Sequence, residues 1–432
     1  MNSGSEEDRD AGSIRWGRAR YILSVGSPPI EDGVMAWAGG RISFVGRFAD
    51  FKSGHSGSGW DWGELAIVPG LVNAHVHLDY SGLAGCVPPP SNFVAWIEAI
   101  QAAKAARPAS ERARDWLEGA RMLARGGVTT VGDIEAWPEL LPQVRPHTPL
   151  RTVSYFELIQ LQSGEDPLAP WRELLASAAG VAGDRWRPGL SPHAPYSTTP
   201  ALLRACAQEV RARGWPVAIH VAESREEFEM FRHGRGPLKE WLAARGRVMS
   251  DLDGSSPVAA VERAGLLGPR CLVVHGNYLA DGDAEKLARH GATVVHCPRS
   301  HAFFGHEPFP WETLRAAGVP VCIGTDSAAT VPLEEGVPPL DLLVELAWLR
   351  RRHPHLVPEE RLAMVTTVPA RAMGLEGAVG QLRAGAWADF VLIPALGTAR
   401  DTLAAWTEGA LRPVAVAVGG RWVAGANRGA VA

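Results

Sequence analysis

The sequence predicts an α/β fold, a (β/α)8 TIM barrel with a small β-sandwich domain formed by both chain ends. Three observations carry this expectation. From Ala66 to Asp326 eight apolar, strand-like runs alternate with amphipathic, helix-like runs. Eight parallel strands is also the number at which alternating βα units close on themselves. Finally, histidines and carboxylates collect at the C-terminal tips of those runs, the end at which such barrels carry their chemistry. An open doubly wound sheet is the alternative, but no G-x-G-x-x-G follows the first strand to support it.

Taken in order, residues 1–12 (MNSGSEEDRDAG) are polar and acidic and are expected to form a disordered tail. RYILSV, VMAWAG and GRISFVG then read as short strands with glycine turns. Near the end of the chain ADFVLIPA and PVAVAVGGRWVAG repeat that style. Neither group is large enough to bury a core alone. Residues 13–68 plus 385–432 are therefore expected to form one composite β-domain, with 69–384 as the barrel. Its strands read AIVPGLVNAH, GVTTVGDI, LRTVSYFEL, RPGLSPHA, PVAIHVAE, CLVVHGNYL, TVVHCPRS and PVCIGTD. Between them, NFVAWIEAIQAAKAA, ERARDWLEGARMLARGG, ALLRACAQEVRARG and DAEKLARHG have helical periodicity.

Bulk properties exclude several functions. The 432 residues, 46% hydrophobic and 21% charged, suit an ordinary globular protein with a large core. The net charge of −4 comes with no basic stripe, which argues against nucleic-acid or anionic-membrane partners and leaves a small-molecule substrate. No apolar run has the length of a membrane span, and the N-terminus lacks the basic flank and apolar core of an export signal. The five cysteines are scattered, odd in number and free of CxxC pairs, a reduced pattern; a cytoplasmic protein is expected. The helix-like run DLLVELAWLRR suits a homodimer contact and barrel packing equally well.

The strand tips hold a specific set. Strand one ends in His75 and His77, whose i, i+2 spacing puts both imidazoles on one face. His193 closes strand four, His220 strand five with Glu223 three positions on, His275 strand six, and Asp326 strand eight, followed by Ser327. Three histidines and one aspartate from such a set suffice for one divalent metal with a position left for water. Each has a plainer reading: His220 as a hydrogen-bonded core histidine, Asp326 as a helix cap, Glu223 as a first-turn helix acid. All of them falling at the same strand end makes separate plain readings improbable together. None of the four lysines (Lys52, Lys104, Lys239, Lys286) ends a barrel strand, so no bridging lysine is available and one metal is expected.

The phrases PGLVNAHVH, SPHAP, HVAES, VVHGNYL, HCPRS and GTDSA, with GQLRAGAWAD near the C-terminus, closely resemble the amidohydrolase superfamily, in the branch holding adenosine-, guanine- and cytosine-type deaminases, aminofutalosine deaminase and the triazine hydrolases. The resemblance covers about residues 18–425. It implies that His75, His77, His220 and Asp326 bind one divalent metal, zinc first, with iron and manganese accepting the same ligands. It implies Glu223 and His275 as the proton-handling and orienting pair, Asp326 as acceptor of the water proton, and His193 as a substrate contact; Trp96 and Ser327 are further expected contacts. The implied activity is a metal-dependent hydrolytic deaminase of an amino-substituted heteroaromatic ring that releases ammonia by hydroxide attack. A triazine-type chlorohydrolase, a cyclic amidohydrolase and a non-catalytic scaffold are the alternatives. Two departures stand out. The helix after strand one, from Trp96 and Glu98 to Lys104, has alanine where nucleoside-processing relatives carry a later acidic residue. The segment after HCPRS reads His301-Ala302-Phe303-Phe304-Gly305-His306 in place of an asparagine, which suits a flat aromatic substrate.

Overall fold

The computed structural model describes residues 13–51, 58–162, 164–180 and 182–425; the expected tail at 1–12 lies outside the described residues. At the N-terminal side, β1 (Arg15–Ile22), β2 (Ile30–Ala38) and β3 (Arg41–Arg47) form an antiparallel meander, and β4 (Ser58–Asp61) and β5 (Leu65–Pro69) add to β1 in parallel. The β2–β3 turn is Gly39-Gly40 with φ of 56° and 75°, the pair of positive φ values a two-residue hairpin turn requires.

The chain then enters a second sheet. β6 (Leu71–His77), β7 (Val128–Glu135), β8 (Arg151–Leu158), β9 (Trp186–Pro192), β10 (Val217–Val221), β11 (Cys271–His275) and β12 (Thr293–His296) lie side by side in parallel, joined by helical connections. The last strand comes in two pieces, β13 (Val321–Ile323) on β12 and β14 (Asp326–Ser327) on β6. Because one interrupted strand pairs on both sides, the sheet closes into a ring, the TIM-barrel-like arrangement expected of eight βα units.

The run AIVPGLVNAH, read from sequence as one strand, is two. Leu65–Pro69 belongs to the end sheet and Leu71–His77 to the barrel, with Gly70 at the change. After the barrel, β15 (Phe390–Pro394) returns antiparallel to β5, followed by the hairpin β16 (Ala415–Val418) and β17 (Arg421–Gly425). Both chain ends therefore share one sheet, packed around Trp37, Trp62 and Phe390; the Phe390 ring lies 5.4 Å from Trp37 and 5.9 Å from Trp62.

Inside the barrel Val72, Ala74, Val153, Tyr155, Ala218, Leu272, Val274 and Val295 meet, closed below by Ala370, Ala372 and Met373. Outward-facing Val76, Ile219, Val221, Val273 and Ile323 pack against the surrounding helices. The helix Leu342–Arg352 places Leu342, Leu343, Leu346 and Leu349 in that outer layer, so its apolar face is used by barrel packing. Among the described residues no helix is long and apolar enough to cross a membrane.

Candidate metal centre

Two devices turn the tip residues toward one point. Along β6, Val72 and Ala74 face the interior, and simple alternation would send His75 outward. The ladder to β7 shifts register between Asn73 and Val76, a bulge that resets the phase: Val76 packs outside and His75 and His77 face inward. On β11, Leu272 and Val274 face inward, so His275 falls on the outward phase. Its φ of 75° re-aims it. Ala222 (φ 51°) does the same for the turn carrying Glu223, and Asp326 has φ 55°. Such backbone strain in non-glycine residues persists where the surroundings over-determine it, and it gathers at functional sites.

The surroundings here are hydrogen-bonded. Asn277, two residues past His275, donates from its backbone N to Ala222 O at 3.0 Å and from Nδ2 to Glu223 O at 2.9 Å. Asn73 donates from Nδ2 to Thr325 Oγ1 at 2.7 Å and accepts from Thr325 N at 3.2 Å, fastening the interrupted last strand to β6. Gly324 lies there because a Cβ would sit 2.9 Å from His75 O. Ser300 and Thr330 donate to Asp326 Oδ2 at 2.6 and 3.1 Å.

The result is a compact group. The His75 ring centre lies 4.9 Å from that of His77 and 5.0 Å from that of His220. Asp326 Oδ1 is 3.4 Å from His75 Nε2 and 3.7 Å from His77 Nε2. Ligand atoms of His75, His77 and His220, and again of His75, His275 and Asp326, lie within 4.8 Å of one another. His220 Nδ1 is 2.9 Å from the His193 carbonyl oxygen, which only accepts; Nδ1 therefore carries the proton and Nε2 keeps its lone pair.

The electrostatics match a cation site. Burial holds the His77, His220 and His275 pKa values well below the usual imidazole range, so these rings are neutral. Burial works to raise the Asp326 pKa, but the side-chain contact with His75 heads the opposing effects, and the carboxyl is held well below its usual range. Both ring nitrogens of His75, Nδ1 of His77 and Nε2 of His275 are buried without a hydrogen-bond partner. Buried polar atoms left so are costly. A divalent metal accepting neutral imidazoles and one carboxylate removes that cost, and the residues fit a single such ion.

Glu223, His193 and Ser327 adjoin this group, and Trp96 packs in an aromatic cluster of its own. Glu223 Oε1 is 3.6 Å from His275 Nε2; burial, then the charges of Asp326 and Glu227, push its pKa well above the carboxylate range, so it holds its proton. His193, just past β9, bonds Ser197 Oγ through Nδ1 at 2.6 Å and approaches Glu157 Oε1 to 3.9 Å through Nε2. Trp96 is buried against Phe303 and Phe304 at ring distances of 5.8 and 5.3 Å. Ser327 is buried and bonds Thr330 at 3.2 Å. Glu157 was not singled out by sequence reading although it sits near the tip of LRTVSYFEL. Lys104, distant from any strand tip in sequence, reaches the mouth from the helix Phe93–Ala106 and donates to Tyr80 OH at 2.7 Å, while the Tyr80 ring stacks on His77.

Comparison with known proteins gives a consistent picture. The model of the amidohydrolase family matches residues 66–423. The chain is 31% identical over 309 residues to an aminodeoxyfutalosine deaminase of Deinococcus radiodurans, covering 68% of this chain and 69% of that one. It is 28% identical over 385 residues to a 5-methylthioadenosine/S-adenosylhomocysteine deaminase of Syntrophobacter fumaroxidans, covering 84% and 80%. Its fold is similar to the crystal structure of an adenosine deaminase from Xanthomonas campestris with bound zinc: TM-score 0.78 at 22% identity, covering 94% and 92%.

Proposed function

The chain belongs to the amidohydrolase family, and from that premise we propose that it is a hydrolytic deaminase that replaces the ring amino group of an adenine-nucleoside-like substrate and releases ammonia. It is a hydrolase of carbon–nitrogen bonds other than peptide bonds, in keeping with its deaminase relatives. The observation that carries the finer reading is Glu223: a buried, proton-holding carboxyl beside His275 at the edge of the imidazole–aspartate group. Ring deamination needs a proton at a ring nitrogen as the adjacent carbon is attacked, and Glu223 is the group placed to give it.

His75, His77, His220 and Asp326 would hold the divalent metal, zinc first. When bound there, the metal supplies Lewis acidity that brings the pKa of a water toward neutrality. Asp326 stays ionised and takes a proton from the attacking water at Oδ1, the oxygen not occupied by Ser300 and Thr330. Neutral His275 orients that water through Nε2. Glu223 protonates the ring nitrogen; the proton taken up by Asp326 then passes to the amino group, the C–N bond breaks and ammonia leaves, and the proton of the remaining hydroxyl returns to Glu223. His193 contacts the substrate from β9, Trp96 backs the aromatic wall through Phe303 and Phe304, and Ser327 borders the site through Thr330. Residues 69–384 form the catalytic unit. The described residues of the two chain ends, within 13–68 and 385–432, form one small domain, which we read as a sandwich curled around Trp37, Trp62, Phe390 and Trp422.

The test is ammonia release from purified protein on a panel of adenine nucleosides, pterins and pyrimidines, with chloride and carboxylate release assayed in parallel on triazines and cyclic amides. Ammonia from an adenine nucleoside supports the reading. Chloride or carboxylate release without ammonia would replace it.

A further inference from the structure

A buried arginine lies where the loops after β8, β9 and β10 meet. Arg247 follows the helix Pro237–Ala243 in the connection after β10 and is 4% exposed. Every N–H of its guanidinium reaches an oxygen. Nε donates to Tyr196 O at 2.6 Å, and Nη2 to Pro195 O at 2.9 Å and Asp251 Oδ2 at 2.7 Å. Nη1 donates to Val248 O at 2.7 Å and Asp251 Oδ1 at 2.9 Å. A buried charge is costly unless it is paired and hydrogen-bonded, and Arg247 is both. The neighbouring loops are fastened at the same place. Val248 N donates to Leu161 O at 3.3 Å, after β8, and Gln160 N donates to Ser197 O at 3.0 Å, after β9.

These bonds hold the turn that begins at His193. The His193 carbonyl receives both the backbone N and the ring Nδ1 of His220, each at 2.9 Å. The direction of that one carbonyl therefore sets the tautomer and the ring plane of His220. Two residues further on come Pro195 and Tyr196, whose carbonyls Arg247 takes, and Ser197 Oγ closes the turn on His193 Nδ1 at 2.6 Å.

We propose that Arg247 is a positioning residue of the metal centre. Its fork fixes the backbone at Pro195 and Tyr196, and through that turn the His193 carbonyl that orients His220. The inference rests on the reading of His75, His77, His220 and Asp326 as metal ligands. A lysine offers three donors from one nitrogen and no planar fork, so it cannot replace the contacts of Arg247 together.

The experiment measures zinc affinity of Arg247→Lys by competition with a chromophoric chelator, at a temperature where circular dichroism shows the variant folded. Affinity should fall about tenfold, the lower end of what loss of an orienting partner costs. The control is Arg361→Lys. Arg361 is a second buried arginine, 3% exposed, and donates to Leu356 O and Thr407 Oγ1. That variant should melt lower and keep its zinc affinity. Asp251→Asn removes the charge opposite the fork; it should weaken zinc binding by less than Arg247→Lys, and it carries the test where Arg247→Lys does not fold. Wild-type zinc affinity in the folded variants of this pair overturns the inference, and so does an equal loss in Arg361→Lys. A wild-type chain that retains no zinc removes the metal reading and this inference with it.

Discussion

Ser300 Oγ lies 2.6 Å from Asp326 Oδ2. Thr330 Oγ1 donates to the same oxygen at 3.1 Å, so Oδ2 is occupied and Oδ1 is turned toward His75 and His77. Asp326 sits at φ 55°, a conformation its backbone does not prefer, and the two hydroxyls help set where its carboxylate points. Removing such an orienting partner typically lowers metal affinity about 10–100-fold. Ser300→Ala should fall in that range and Thr330→Ala should lose less, as measured by zinc competition with a chromophoric chelator. Wild-type affinity in Ser300→Ala would mean that Oδ2 does not orient the ligand oxygen.

Glu223→Gln should keep the metal and lose turnover. The glutamine has the same shape, and Asn277 holds the turn through the backbone oxygen of residue 223, which the substitution leaves in place. What is lost is the transferable proton, typically about 10²–10⁴-fold in rate. Metal content and kcat for ammonia release measured on the same preparation separate the two effects. Turnover near wild type would end the proton-delivery role.

Stripping the metal should destabilise the fold as well as stop turnover. A ligand that binds only the folded chain stabilises it by about 2.7 kcal/mol at one hundred times its dissociation constant. Chelator-treated protein should therefore melt lower and recover on adding zinc. His75→Ala and Asp326→Asn should show neither the zinc-dependent rise in Tm nor activity. A rise of wild-type size in either variant places the ion elsewhere.

How much of this was legible in the chain depends on what leaves a trace in composition. The imidazole tips were readable because a histidine ending an apolar run is rare without a reason, and five such residues at one end of a barrel are mutually reinforcing. The phase changes that aim them were not. By alternation alone His275 faces outward and His75 is out of step with Ala74; a bulge in β6 and a left-handed residue on β11 correct this. Neither has a signature in residue type. The merging of β5 and β6 into one expected strand has a similar cause, since both are apolar and nearly all buried and periodicity does not change at Gly70. Asn73, Asn277, Ser300 and Thr330 escaped notice because neutral polar residues near turns are common. The available signal was that Asn73, Asn277 and Ser300 lie inside the same short phrases as histidines and Thr330 lies two residues past GTDSA. Glu157 obeyed the tip rule that found the others and was overlooked.

Glu227 gives a pH prediction with a definite sign. It is fully buried, its Oε2 accepts from Glu223 N at 2.9 Å, and Oε1 has no partner. Burial raises its pKa from 4.5 to about 8, against the opposing backbone bonds from Glu223 and Ala222. The folded chain therefore binds this proton more tightly than the unfolded chain. The stability associated with it is fully present below the unfolded value of 4.5 and is lost as pH rises toward about 8. Within that window the loss reaches up to about 1.4 kcal/mol per pH unit. Glu227→Gln keeps an acceptor for Glu223 N and cannot ionise, so it should remove this component. Subtracting the variant's Tm-versus-pH curve from the wild type's cancels the other buried acids, among them Glu345, whose pKa burial also raises to about 8. The difference should fall steadily from pH 5 to pH 8, and a flat difference would mean that Glu227 is already ionised in the folded protein.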